Sequence, residues 1–285
     1  MNVNLTDAPP GWLPINRHPM LVARQLPRAG WISHDLPHGD ISPPHQHERG
    51  HLVYAASGIL SVTTRRGRWI CPANRAAWTP ARVVHHHQAY GRTDMRIVFI
   101  APSLARALPN RPAVLAVSAL ARESLLALTG DRPYRPATRT RLRHLLVEEV
   151  STSSEQPLHL PEPEDDRLRA LACLLRDNPA DTAPLATLGH TVGASERTLS
   201  RLFRSELGMS FRQWRTQLRL HHALVLLSSG HSVTSTAHAC GWSNPSTFIH
   251  AFTSAIGQTP GRYQHDLRHG AEGRPEDGRP AVKPP

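Results

Sequence analysis

The sequence predicts an α+β protein with two domains, in which a small β-barrel is followed by an all-α domain. Short segments of alternating apolar and polar residues follow one another closely between residues 51 and 100, which is typical of strands in a small barrel or sandwich. A nearly continuous helical pattern fills residues 165–256. Within that helical part, one pattern of apolar and small residues occurs twice.

The strand prediction rests on alternation and on the turn residues that interrupt it. Residues 60–64 and 95–99 place apolar residues at every second position, as a half-buried strand does. Between them, a turn at residues 65–67 leads into a strand over residues 69–71, which Pro72 ends. This part of the chain should therefore form several short strands.

The pattern changes after residue 111. Residues 113–128 and 137–150 are predicted as helices, and the proline-containing polar stretch 151–163 is predicted as a linker. The resulting division is an N-terminal extension (1–18), a barrel domain (19–105), a helical linker that could serve dimerisation (106–162), a helical domain (163–265) and a disordered tail (266–285).

Composition narrows the class of protein. The 285 residues suffice for two domains with their own cores. The formal charge of +11 favours a polyanionic partner such as nucleic acid, although an arginine-rich composition is also typical of a GC-rich genome. Three widely spaced cysteines indicate neither a disulfide framework nor a cysteine zinc site. The start of the chain does not resemble a signal peptide and no apolar run is long enough for a membrane span, so we expect a cytoplasmic protein.

The repeat in the helical part predicts two helix-turn-helix units. A shift of about 48 residues, increasing to 49 beyond the turn, superimposes the first unit on the second. The matched pairs are Leu185 with Val233, Gly189 with Ala237, Gly193 with Gly241, Phe203 with Phe252, and Gly208 with Gly257. Glycine at the turn supplies a positive φ without steric cost. Ser195 can cap the second helix of the first unit, and Ser243 or Asn244 that of the second, with Pro245 following.

The second helix of each unit is a candidate recognition helix for double-stranded DNA. Their exposed faces offer donors and acceptors for base edges and phosphates, namely Ser195, Glu196, Arg197, Ser200 and Arg201, and then Ser243, Asn244, Ser246, Thr247 and His250. A helix over residues 211–227, about 25 Å long, would separate the two candidate recognition helices by roughly one turn of DNA. Residues 184–264 hold seven arginines against two glutamates, which places positive charge in the predicted DNA-binding part.

These residues resemble the AraC/XylS family of bacterial transcription regulators. The matching stretches are VGASERTLSRLF at 192–203, Arg219-Leu220, GWSNPSTF at 241–248 and GQTP at 257–260, within a match over about residues 166–263. The resemblance implies two helix-turn-helix units joined by one long helix, with RNA polymerase and a second copy of the chain as partners. Gly189 departs from the alanine usual in the family and could loosen its helix slightly.

The N-terminal part resembles a cupin barrel, such as one AraC subfamily carries. Two motifs carry this resemblance over about residues 43–100: HQH at 45–47 with His51 and Gly58, and Gly67, Pro72 and WTPA at 78–81 with His85. His45 and His47 point to one face of a strand, because they lie two residues apart, and His85 could meet them inside the barrel. His51 stands where cupin enzymes usually have glutamate, and could be a fourth ligand. His86 and His87 are adjacent further histidines.

The histidines predict a site for a divalent metal such as nickel, zinc, iron or cobalt, and an all-histidine set favours nickel, zinc or copper. With 19 histidines in the chain, chance clustering or hydrogen bonding to an organic effector are the alternatives. The leading hypothesis is therefore a DNA-binding transcription regulator whose cupin-like domain senses a metal or small molecule. A cupin metalloenzyme of dioxygenase or isomerase type with an appended DNA-binding module is the second hypothesis, disfavoured by the missing glutamate at position 51. An architectural DNA-binding protein without effector is the third, and the histidines argue against it.

Overall fold

The computed structural model describes residues 22–23, 30–37, 39–73, 75–155 and 158–272. The predicted N-terminal extension (1–18) and residues 273–285 of the predicted tail lie outside them. The strands are β1 (Val22–Ala23), β2 (Trp31–Leu36), β3 (His45–Gln46), β4 (His51–Thr64), β5 (Gly67–Pro72), β6 (Arg75–Thr79), β7 (His85–Phe99), β8 (Ala113–Ala116) and β9 (His159–Pro161). The helices are α1 (Pro102–Ala105), α2 (Ala119–Thr129), α3 (Pro136–Ser151), α4 (Asp166–Asp177), α5 (Leu185–Thr191), α6 (Glu196–Leu207), α7 (Phe211–Ser228), α8 (Val233–Ala239), α9 (Pro245–Ile256) and α10 (Pro260–Glu272).

The barrel is built on one long antiparallel ribbon formed by β4 and β7. Its register pairs His51 with Phe99 at one end and Thr64 with His85 at the other. The ribbon is irregular near Gly58, where φ is +77° and an added Cβ would lie 2.4 Å from Thr93 Oγ1. Glycine is therefore required at this bend. The strands predicted within residues 60–99 are confirmed.

Both faces of the ribbon are covered. Val53, Leu60 and Ile97 belong to an apolar cluster inside the barrel. Residues with the opposite orientation, such as Leu52 and Tyr54, pack with the buried residues of α2 and α3. The barrel therefore has an interior filled by strand residues and an outer face covered by two helices.

Two strands depart from the prediction for residues 106–162, because the helix predicted over 113–128 begins as a strand and the linker predicted over 151–163 contains one. Residues 113–116 form β8, which pairs with β6, and α2 begins only after the capping residue Ser118. The strand β9 pairs with β5, so the end of the predicted linker belongs to the sheet. The open edges of β5 and β6 supply backbone partners, and Val114 and Leu160 become buried against them.

The helical domain contains the two predicted helix-turn-helix units, α5–α6 and α8–α9, joined by the 18-residue helix α7. Ser195 caps α6 by accepting a hydrogen bond from the Thr198 amide, and Asn244 caps α9 by accepting one from the Ser246 amide. The turn residues Gly193 and Gly241 have φ values of +69° and +77°, as predicted. Of the two candidate caps for the second unit, the structure uses Asn244.

Two further sequence expectations are refined in this domain. Gly189 is buried, and a Cβ there would lie 2.4 Å from the Ala194 carbonyl oxygen, so α5 approaches its own turn closely. The tail predicted from residue 266 begins too early, because α10 continues to Glu272. Leu267 packs against the core of the second unit and explains this extension.

The two units are anchored differently. The first has a core that includes Leu199, Phe203 and Trp214 and that contacts the sheet at Leu160 of β9. The second shares one core with the barrel, in which Ile70 and Tyr90 of the barrel cluster with residues of α7 and α9 such as Leu224 and Phe252. Among the described residues, no helix combines the length and apolar character needed to cross a lipid bilayer.

Candidate metal and DNA-binding sites

Five buried histidines meet inside the barrel. Neighbouring ring centroids in this cluster lie 4.4–6.0 Å apart. The members of this histidine cluster are His45, His47, His51, His85 and His87, and each is at most 5% exposed. The structure therefore brings together all four histidines singled out from the sequence and adds His87.

Two sets of three could each hold a metal ion. One is His45, His85 and His87, and the other is His47, His51 and His85, with one nitrogen of each member within 4.8 Å of the others in its set. His85 belongs to both sets. His87 was missed as a candidate ligand, although it lies two residues after His85 on one strand and so shares its face.

Two backbone carbonyls orient rings of the cluster. Nδ1 of His45 lies 2.8 Å from the Pro43 carbonyl oxygen, and Nδ1 of His85 lies 2.8 Å from that of Val83. A carbonyl oxygen only accepts, so Nδ1 must be the protonated nitrogen and donate in each pair. In the neutral ring Nε2 then carries the lone pair, as in histidines that bind metal through Nε2.

Burial favours the uncharged form of three histidines of the cluster. The pKa of His85 is lowered to about 3, first by burial and then by the neighbouring His45. The pKa values of His51 and His87 are lowered well below the usual value, again by burial first and then by His85. Neutral imidazole is the form that binds a metal ion.

The residues present fit a divalent metal. Neither ring nitrogen of His51 has a hydrogen-bond partner among the described residues, and the same holds for Nε2 of His85 and of His87. A buried polar atom without a partner costs about 1–3 kcal/mol, which a bound ion would offset. Phe99 packs edge-on against His47 and closes one side with an apolar ring. Imidazole nitrogens suit zinc, nickel, copper and iron better than magnesium or calcium.

The first candidate DNA-binding surface lies on α6. Ser195, Glu196, Arg197 and Arg201 are exposed, and Ser200 is half-buried. A surface hollow on the same face is lined by Arg197, Thr198, Ser200, Arg201, Arg204 and Ser205. Arg204 was missed in the sequence, although its position three residues after Arg201 places it on the same face.

The second candidate surface lies on α9 and its preceding turn. All five predicted residues, Ser243, Asn244, Ser246, Thr247 and His250, are exposed. Asn244 is at the same time the cap of the helix. Ile249 is also exposed, at 37%, and was missed because an apolar residue in an amphipathic pattern is expected in the core. The two surfaces differ in charge, since α6 carries arginines and α9 does not.

Comparison with known proteins matches both domains. A helix-turn-helix domain family matches residues 188–266, and a cupin domain family matches residues 32–101. The chain is 36% identical over 225 residues to the HTH-type transcriptional regulator NimR of Escherichia coli. The aligned region covers 78% of this chain and 82% of NimR. The chain is also 35% identical over 103 residues to the HTH-type transcriptional regulator RipA of Corynebacterium glutamicum. That aligned region covers 36% of this chain and 31% of RipA.

Among solved structures, one similar chain is the DNA-binding domain of AdpA in complex with a target DNA. The two chains are 27% identical and superimpose with a TM-score of 0.36. The aligned region covers 39% of this chain and 100% of that chain. The relatives are named as transcription regulators, which favours regulation over the enzyme hypothesis. The order of a cupin domain and two helix-turn-helix units, together with the long match to NimR, shows that this chain belongs to the AraC/XylS family of DNA-binding transcription regulators.

Proposed function

We propose that the histidine cluster binds a divalent metal ion and that the ion controls how the helical domain binds its operator. The observation that carries this proposal is the orientation of His85 by the Val83 carbonyl, which leaves its buried Nε2 without a hydrogen-bond partner among the described residues. The proposed ligands are His45, His47, His51 and His85. His87 is an alternative ligand that would take the place of one of these four. The nitrogen-only set favours nickel, zinc or copper, while iron and cobalt remain candidates.

We further propose α6 and α9 as the recognition helices. Arg197 and Arg201 are placed to contact guanine edges or phosphates, and Arg204 to contact phosphate. On α9, Ser246, Thr247 and His250 would contact base edges, and Ile249 would contact a thymine methyl group. The helix α7 is about 27 Å long, which fits two successive major grooves on one face of the DNA.

A physical link joins the barrel to the second recognition helix. The guanidinium of Arg75, on β6, donates a hydrogen bond of 2.6 Å from Nη2 to the carbonyl oxygen of Ile256, the last residue of α9. Arginine at this position satisfies a carbonyl that the helix leaves without a partner. A metal alters DNA affinity only if it prefers one arrangement of barrel and helix over another. The Arg75 contact is the proposed point at which that preference acts.

The remaining proposed partners follow from the family. RNA polymerase is the proposed protein partner at the promoter, and a second copy of the chain would dimerise through the α2–α3 segment. The proposed location is the cytoplasm, where the DNA target lies.

Fluorescence anisotropy on DNA flanking the protein's own gene tests the metal proposal. We expect EDTA to change the affinity, and one of nickel, zinc, copper, iron or cobalt ions to reverse the change. The double variant His45→Ala/His47→Ala should lose this response, while the exposed His144→Ala serves as control and keeps it. DNA binding that is tight and indifferent to every metal would contradict the proposal and point to an organic effector.

A further inference from the structure

The turn of the second helix-turn-helix unit lies directly against the segment that leads into the first unit. That segment connects α4 to α5 over residues 178–184, and we call it the α4–α5 loop. A Cβ added to Gly241, in the turn of the second unit, would lie 2.8 Å from the carbonyl oxygen of Ala180 in this loop. The two units are therefore in contact with each other, in addition to being joined by α7.

The guanidinium of Arg219, on α7, lies in this contact. It donates hydrogen bonds to two carbonyl oxygens of the α4–α5 loop, from Nε to Pro179 at 3.1 Å and from Nη2 to Asp181 at 2.8 Å. Nη2 would also lie 2.6 Å from a Cβ at Gly241, and Cζ lies 5.8 Å from the ring centroid of Trp242. One side chain thus contacts both the α4–α5 loop and the turn of the second unit.

Each side of this contact is connected to the core of one unit. Ala183, in the α4–α5 loop, packs against the core of the first unit, which contains Phe203 of α6. On the other side, the ring of Trp242 packs against that of Phe248 of α9, with centroids 5.0 Å apart. A movement of one unit against the other would therefore disrupt the contacts of Arg219.

The shape of the guanidinium explains why arginine suits this position. Its donors form a planar fork with fixed directions, whereas the ammonium group of lysine is a single point of charge with rotatable donors. Arg215, one turn earlier on α7, provides a contrast. It donates a hydrogen bond of 2.9 Å to the Ala183 carbonyl oxygen, and its guanidinium lies over the ring of Phe211 on its own helix. These two contacts hold the α4–α5 loop to α7 without involving the second unit.

We propose that Arg219 is a positioning residue that fixes the two recognition helices relative to each other, and so sets the number of base pairs between the two half-sites that one chain accepts. The inference rests on the proposed assignment of α6 and α9 as recognition helices. One additional base pair moves the half-sites apart by about 3.4 Å and rotates one against the other by roughly 35°. Two units in a fixed arrangement tolerate this change poorly, and two units that move independently tolerate it well.

Selection of binding sites by the full chain from a pool of random DNA measures this spacing directly. We expect the unchanged protein to select two sequence elements at a single spacing, and Arg219→Gln to select the same elements at several spacings. Arg219→Lys keeps the charge but not the fork, so it should behave like Arg219→Gln. Arg215→Gln is the matched control on the same helix and should keep the single spacing.

Anisotropy titrations on the selected DNA give the size of the effect. Inserting one base pair between the elements should weaken binding of the unchanged protein about tenfold or more, and that of Arg219→Gln about threefold or less. On DNA in which the second element is scrambled, the two proteins should bind equally, because the first recognition surface is intact in both. An equal loss of affinity by Arg219→Gln on every DNA would indicate a general folding role and overturn the proposal.

Gly241→Ala tests the same contact from the other side. The added methyl group would lie 2.6 Å from Arg219 Nη2, at a φ of +77°, so the guanidinium must move away. Gly193→Ala is the control, because it is the equivalent glycine of the first unit, with a φ of +69° and nothing within 4 Å of its added Cβ among the described residues. We expect Gly241→Ala to accept several spacings and Gly193→Ala to accept one.

The outcome for Arg197→Ala separates this inference from the proposed function. If Arg197→Ala binds the selected DNA as tightly as the unchanged protein, the assignment of α6 is wrong. If it binds more weakly while Arg219→Gln, shown to be folded by circular dichroism, still selects a single spacing, only the role of Arg219 is wrong. Selection of one element alone by the unchanged protein would also overturn the proposal.

Discussion

His51 and His85 stand at opposite ends of the β4–β7 ribbon, yet their ring centroids are 4.8 Å apart. In a straight ribbon of this length the two residues would be separated by roughly 40 Å. The bend at Gly58 folds the ribbon back on itself and closes the barrel, so that its two ends contribute to one cluster. The metal site proposed here thus depends on a residue that lies far from it.

Gly58→Ala should therefore lower stability and metal affinity together. An added methyl group would lie 2.4 Å from Thr93 Oγ1 and 2.6 Å from the Arg92 carbonyl oxygen, at a φ of +77°. We expect a loss of about 1–3 kcal/mol in the free energy of unfolding, measured by urea denaturation. Gly39→Ala is the control, because its φ is +79° but nothing lies within 4 Å of its added Cβ. An equal loss in both variants would show that the contact with Thr93 is unimportant.

Acid should destabilise the metal-free protein. The folded-state pKa of His85 is about 3, below the value of about 6.5 in an unfolded chain, so unfolding takes up a proton between these two values. The stability contribution is present above about pH 6.5 and is lost as the pH falls toward 3. In EDTA, His85→Gln should reduce the slope of unfolding free energy against pH in this window by up to about 1.4 kcal/mol per pH unit. The exposed His144→Gln is the control variant, and an equal reduction of the slope in both variants would contradict this prediction.

Arg197→Ala and Arg201→Ala should weaken operator binding. If the side chain contacts a guanine edge in two places, the expected loss is about 1–3 kcal/mol of binding free energy. Arg141→Ala removes the same charge from an exposed position on α3 and should have a much smaller effect. Anisotropy titrations at one fixed salt concentration measure the three variants. Unchanged affinity in both α6 variants would contradict the placement of the first recognition helix.

Arg75→Ala should uncouple the barrel from the second recognition helix. The variant loses the hydrogen bond to the Ile256 carbonyl oxygen, while the histidine cluster keeps all its residues. We expect metal binding by calorimetry to be retained and the effect of the metal on DNA affinity to shrink. Arg82→Ala, which removes an exposed ion pair with Glu48, is the control and should respond normally. A normal metal response in Arg75→Ala would remove this contact from the mechanism.

The features predicted correctly from the sequence are mostly local ones. The turn glycines, the cap at Ser195 and the two phenylalanines of the repeat act within a few residues of their own position, so the repeat revealed both units. Residues 113–116 show the limit of this reasoning. A short apolar run fits a buried strand or a helix equally well, and the choice depended on the open edge of β6, which lies far along the chain.

The candidate metal site likewise has features that local sequence predicts and features that depend on distant parts of the chain. The spacing of His45 and His47 predicts a shared face, and that spacing rule would also have included His87. That His51 reaches His85 depends on the bend of the ribbon, which no local pattern indicates. The approach of Arg68 on β5 to His221 on α7 is less predictable still, because the two residues become neighbours only when the barrel and α7 pack together.

The unequal anchoring of the two helix-turn-helix units has a consequence for how the chain comes apart. Since the second unit completes its core with barrel residues such as Ile70 and Tyr90, those two parts should melt in a single cooperative transition. The first unit, whose core includes Phe203 and Trp214 and contacts the sheet at Leu160 of β9, should loosen before the second unit does. A protease that separates the barrel from the helices would then expose the apolar face of the second unit that Ile70 and Tyr90 cover. The second unit is thus held to the barrel by a shared apolar core, and the first unit by α7 and by its contact with β9.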